Sequence, residues 1–118
     1  MKYGRQRFLT APLMKWMFGK YVSDPAQRGN DLMSPVRASA ERLRGLPATL
    51  IVVAENDILR DEGEKMGRLL DAAGVEVTTV RFNGVVHDWG MLNGFAALHP
   101  TRTLIRLVGS VLRDYLEK

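Results

Sequence analysis

The stretch from Leu46 to His87, GLPATLIVVAENDILRDEGEKMGRLLDAAGVEVTTVRFNGVVH when read from Gly45, constrains this chain more than any other. Thr49 to Ala54 (TLIVVA) is a continuous apolar run with three β-branched residues, the pattern of a strand buried on both faces of a parallel sheet. Asp61, with Glu64 three residues on, predicts a capping box that opens a helix; Met66, Leu69, Leu70 and Ala73 form its inner face and Gly74 its stop. Val75 to Phe82 then leads into a second strand, VTTVRF, ended by Asn83 and Gly84. A strand, helix, strand order in one sheet needs a right-handed crossover, so the carboxyl ends of both strands lie on the same edge.

That edge is where parallel α/β sheets carry their chemistry. Asp57 follows Ala54 by three residues and His87 follows Phe82 by five, so both belong there. An Asp in that position accepts the Nδ1 hydrogen bond of an imidazole and stabilises the imidazolium formed when the other nitrogen takes a proton. Asp57 is then the candidate orienting acid and His87 the candidate base. A structural reading stands beside this one, because an Asp in a Glu-Asn-Asp turn is commonly a turn residue and a His after two valines is commonly packed or surface-exposed. His99 reads as a helix cap and Asp88 as a loop carboxylate next to the candidate base. Two His and scattered carboxylates offer no HxxxH or HxE spacing, so no metal site and no cofactor are expected.

The flanks follow from period and punctuation. Residues 1 to 8 show no periodicity and predict a poorly ordered start. Thr10 caps a helix with Pro12 in its first turn and Leu13, Met14, Met17, Phe18 and Tyr21 as its stripe, widened by Trp16. Packing against a core is the expected role of that surface, ahead of a lid or acyl-binding wall. Ser23 to Ser39 has a loop composition, and Ala40 to Arg44 makes one helical turn ended by Gly45. A last helix starts near Pro100, with His99 as its cap, and runs to about Leu116 with Leu104, Leu107, Val108, Val111, Leu112 and Tyr115 inward. The division expected is 1–47, a helix and connecting loop, and 48–118, the βαβ unit, loop and last helix.

Charge and composition exclude some classes. The net charge of +4 is uneven, with nine Lys/Arg against three Asp/Glu in residues 1 to 47. The cations are scattered, with no run of three and no aromatic interleaving, so no nucleic-acid partner is expected. No segment approaches the roughly 18 apolar residues of a membrane span. Lys2, Arg5 and Arg7 before an apolar stretch imitate a signal peptide, but Pro12, Lys15 and Lys20 interrupt it. A mature protein without cysteine fits a reducing cytoplasm.

The residues from Leu46 to Asn93 resemble the C-terminal part of the α/β-hydrolase family related to hormone-sensitive lipase. Members carry a D-x-L-R-D-E-G segment and, about thirty residues later, G-x-x-H; here these are Asp57-Ile-Leu-Arg-Asp-Glu-Gly63 and Gly84-Val-Val-His87. Ser34-Pro35-Val36 matches a further element, and the helix from Thr10 to Tyr21 resembles a cap-adjacent segment, so the resemblance covers residues 8 to 117. It implies an α/β fold, a partial α/β-hydrolase with two parallel strands, in which Asp57 is the triad acid and His87 the triad base. Ile58, Val86 and Trp89, beside the pair, become candidate substrate contacts, and the implied substrate is a small ester.

Two departures stand out. The residue after the His is commonly Gly in this family and here it is Asp88. The G-x-S-x-G nucleophile elbow and the HGGG-type oxyanion loop precede the acid in such enzymes, and neither occurs among these residues. None of the four serines, Ser23, Ser34, Ser39 and Ser110, has the flanking glycines. The resemblance therefore implies the last third of an esterase, inactive alone, whose open strand edge and apolar face call for self-association or pairing with a missing N-terminal part. The alternative is a non-catalytic α/β module that binds a protein partner.

Overall fold

Apolar runs that alternate with Gly-punctuated helical stripes build a βαβ core with a helix on either face of the sheet. The computed structural model describes residues 8–117. Strand β1 (Thr49–Asn56) pairs in parallel with β2 (Val77–Val86), from Thr49 opposite Val77 to Ala54 opposite Phe82. Helix α3 (Arg60–Ala72) makes the crossover between them. Ahead of this unit come α1 (Ala11–Tyr21), short 3-10 turns at Pro25–Gly29 and Pro35–Arg37, and the single turn α2 (Ala40–Leu43). A 3-10 turn at Asn93–Phe95 and helix α4 (His99–Leu116) follow it.

Side-chain alternation along β1 decides which helix each residue meets. Ile51 packs with Leu43, Leu70, Ala73 and Val75 on the α3 side. Val52 and Ala54 face the other way, toward Val85, Trp89 and Leu104 at the start of α4. Helix α3 approaches the strands closely because it presents Gly63 and Gly67, four residues apart and therefore on one face. A Cβ on Gly63 would stand 2.6 Å from Val53 Cγ1, and one on Gly67 would overlap Thr79 Oγ1. Past the last turn of α3, Gly74 (φ +79°) takes the left-handed conformation that ends the helix, as its position predicts.

Several expectations change. Strand β1 is not buried on both faces: only Val53 and Ala54 are buried, because β1 has a single neighbouring strand and α4 stands off its first half. A groove of about 670 Å³ separates Leu50 and Val52 from Leu107, Val111 and Tyr115. For the same reason Leu112 and Tyr115, read as inward, are exposed. Strand β2 does not stop at Asn83 and Gly84 but runs through them to Val86 across an irregularity in register. Asp61 is no cap: α3 starts at Arg60 after Leu59, and Asp61 lies in the first turn, where its carboxylate accepts from Arg60 Nη2 at 2.7 Å. A carboxylate there still suits the helix dipole. His99 is the first residue of α4 rather than its cap, which is Leu98.

Thr10 caps α1 as predicted, its hydroxyl accepting the Leu13 N–H at 3.4 Å. The expectation that the α1 stripe is core holds only in part. Met14 and Phe18 are half-buried, but Leu13, Trp16, Met17 and Tyr21 are exposed, Trp16 at 62%. Of the start expected to lack order, residues 1–7 lie outside the described residues.

Candidate active site

Asp57 is the first residue past β1 and His87 the first past β2. Asn56 is the register partner of Val86, so the next residue on each strand brings the carboxylate to the imidazole. His87 Nδ1 lies 2.7 Å from Asp57 Oδ2, within the range of a charge-assisted hydrogen bond. The other oxygen, Oδ1, accepts the Leu59 N–H at 2.9 Å, a turn that fixes the carboxylate just before α3 begins. Little of either side chain reaches solvent: Asp57 is 11% exposed and His87 25%. With Nδ1 donating to the carboxylate, the Nε2 lone pair is left to take a proton.

Asp88 stands on that second side. Its Oδ2 is 3.4 Å from His87 Nε2, and the side chain is 46% exposed. Asp88 is also the only non-glycine residue among those described with a positive φ, +57°. Asp tolerates that left-handed geometry better than most residues, and Gly adopts it without strain.

In front of the pair is a hollow of about 590 Å³ whose walls include Asp57, His87, Asp88, Trp89, Met91 and Leu104. Apart from the three titratable groups its lining is apolar. Trp89, read as a substrate contact, is only 6% exposed and serves first as packing: it joins Ala54 and Val85, and its ring lies 5.3 Å from that of Phe82 at a 44° tilt. Its Nε1 is buried without a hydrogen-bond partner. Ile58 and Val86, the other two candidate contacts, are half-buried and lie outside the lining of this hollow. His99 is an exposed residue at the start of α4 and does not line this hollow.

One residue escaped the sequence reading. Glu55 Oε2 accepts the Gly84 N–H at 2.7 Å, and its carbonyl accepts from Arg60 Nη1 at 2.9 Å. The signal available was a carboxylate at the end of an otherwise apolar strand. Among the described residues no three His, Cys, Asp or Glu side chains gather closely enough to hold a metal ion. None of the described helices is long and apolar enough to cross a membrane.

A βαβ unit with helices on both faces and polar groups at the carboxyl ends of its strands is the arrangement in which parallel α/β proteins carry their sites. A family model of the alpha/beta hydrolase fold matches residues 1–91, and the chain belongs to that family. The branch is that of the esterases, as the resemblance to the hormone-sensitive-lipase group implies. The chain is 44% identical to a thermostable esterase from Pseudomonas putida ECU1011 whose crystal structure superposes with a TM-score of 0.89, over 92% of this chain and 34% of that one. It is 34% identical to the arylesterase of Saccharolobus solfataricus over 80% of its own length and 28% of the relative's. It is also 34% identical to the alpha/beta hydrolase R526 of Acanthamoeba polyphaga mimivirus, over 86% of this chain and 29% of that protein. The chain thus spans about a third or less of the relatives it matches.

Proposed function

We propose that this chain carries the acid and the base of a serine carboxylic ester hydrolase, with Asp57 orienting and His87 transferring protons. The observation that carries the reading is the 2.7 Å contact of His87 Nδ1 with Asp57 Oδ2 at the carboxyl ends of two parallel strands. A nucleophilic Ser and the oxyanion donors are contributed by protein outside these 118 residues, since no G-x-S-x-G occurs within them. His87 Nε2 accepts the seryl proton as the hydroxyl attacks the ester carbonyl. Asp57 stabilises the imidazolium, and the proton passes to the departing alcohol. Water then attacks the seryl ester and gives a proton to the same nitrogen, which passes it to the seryl oxygen as the C–O bond breaks, freeing the acid and regenerating the Ser hydroxyl.

Short-chain neutral esters are the substrate class, in keeping with the apolar walls around Trp89, Met91 and Leu104. Residues 48–118 supply the catalytic arm and residues 1–47 a cap-adjacent helix and connecting loop. Pairing with the nucleophile-bearing part, or self-association, covers the open face of β1 and α4.

Turnover of p-nitrophenyl acetate or butyrate tests this. The chain alone is expected to give none. Mixed with the nucleophile-bearing part of a related esterase it is expected to give turnover that His87→Ala abolishes and Asp57→Asn lowers by about 10⁴-fold. Turnover in the mixture indifferent to His87→Ala would refute the assignment. The exposed Leu13, Trp16, Met17 and Tyr21 on α1 favour a second reading, a non-catalytic module that binds a protein through that face.

A further inference from the structure

Asp57 and His87 meet just beyond a fault in the strand ladder. Between Ala54 opposite Phe82 and Asn56 opposite Val86, β1 advances two residues while β2 advances four. Two extra residues of β2 are therefore taken up opposite Glu55. A continuous ladder would set Asp57 opposite Val85, two positions short of His87. At about 3.3 Å per residue that places the imidazole roughly 6.6 Å further along, as a diagonal rather than a facing neighbour of Asp57, and the side-chain geometry of the 2.7 Å hydrogen bond would be lost.

A bulge leaves backbone groups of its longer strand without ladder partners. Gly84, at φ +75°, makes the turn within it, and its N–H is taken by the Glu55 carboxylate at 2.7 Å. Glu55 is itself fixed from behind, because Arg60 Nη1 donates to its carbonyl at 2.9 Å from the first turn of α3. The carboxylate thus satisfies a freed donor and ties the apex of the bulge to the strand that bears the acid.

We propose that Glu55 is a positioning residue that pins the two-residue bulge of β2 and so sets the register in which His87 meets Asp57. Its importance for ester hydrolysis rests on the acid–base reading above; its effect on the hydrogen bond does not.

The experiment observes that hydrogen bond in the 118-residue chain, by proton and nitrogen NMR of histidine-labelled protein, with His99→Gln separating the two histidines. Wild-type protein is expected to show a strongly deshielded His87 Nδ1 proton and a Gly84 amide protected from hydrogen exchange. Glu55→Ala removes the proton signal and speeds Gly84 exchange roughly tenfold or more, the loss of one charge-assisted bond. Glu55→Gln restores both, since its amide oxygen accepts the same N–H, whereas Glu55→Asp, one methylene shorter, does not. A merely structural role would lower the melting temperature while the folded fraction kept the signal. Retention of the signal and of Gly84 protection in folded Glu55→Ala overturns the proposal. Should Glu55→Ala not fold, the Gln variant decides: a folded Glu55→Gln that lacks the signal overturns it, and one that keeps the signal supports it. Failure of the esterase reading leaves these spectra unchanged, so the two ideas fail separately.

Discussion

Replacing Gly63 by Ala tests the close seating of α3 on the sheet. In an exposed helix interior, Gly→Ala stabilises by about 0.8–1 kcal/mol, because Ala loses less backbone entropy on folding. At Gly63 the added methyl would stand 2.6 Å from Val53 Cγ1, inside any real carbon contact. Val53 is 7% exposed and β-branched, so it has little freedom to turn aside. Forcing a methyl into such a contact costs about 1–3 kcal/mol. The net expectation for Gly63→Ala is a loss of roughly 1 kcal/mol. Gly109 provides the control: it is also helical, in α4, but exposed, and a Cβ there meets nothing within 4 Å. Gly109→Ala should realise the full propensity gain. Urea unfolding followed by circular dichroism, at one fixed protein concentration, reads both as shifts in midpoint at constant slope. If Gly63→Ala raises the midpoint as Gly109→Ala does, α3 does not pack against β1 as described.

Substitutions at three further positions have clear signs. Leu70→Ala empties a site that is 2% exposed at the centre of the α3 cluster and should cost about 2–5 kcal/mol in the same assay. Asp88→Val puts a β-branched residue at φ +57° and should cost about 1–2 kcal/mol, whereas Asp88→Asn should leave the midpoint almost unmoved. Thr10→Ala removes a long, exposed cap bond of 3.4 Å, so its loss should fall near 0.5 kcal/mol, detectable as weaker amide protection of Leu13.

The element order was legible in the sequence, because long apolar periods and terminal glycines act locally. The run TLIVVA, the stripe of Met66, Leu69, Leu70 and Ala73 with Gly74 after it, and the Thr10 cap all lie where their patterns place them. What the pattern missed depends on partners distant in the chain. Asn83 and Gly84 read as a strand end, since a Gly turn and a Gly bulge carry the same local signal; only the pairing with β1 distinguishes them. Asp61 looked like a cap because its spacing to Glu64 was right, but the carboxylate of Asp57 already fixes the turn ahead of α3. The approach of Asp57 to His87 could be placed on one edge from the crossover rule, whereas the register in which they meet at 2.7 Å includes a bulge whose Gly84 N–H is bonded to Glu55, which no local pattern announces. Burial was the least legible property. A run such as TLIVVA specifies readiness to be covered, and the covering of Leu50 or Tyr115 depends on neighbours that these elements do not supply.

The burial of Trp89 also makes the Asp57–His87 end of the sheet observable as it forms. Its indole packs with Ala54 and Val85 and against Phe82, residues of both strands, two positions from the candidate base. Trp16, the second tryptophan, is 62% exposed and lies on α1, with Lys20 Nζ 5.8 Å from its ring centroid. Parallel pairing brings together residues about thirty positions apart, so β1 and β2 meet only after the intervening chain has closed its loop. In stopped-flow refolding of a Trp16→Phe variant, the remaining fluorescence change therefore times the docking of the two strands, and the approach of His87 to Asp57 belongs to that same phase.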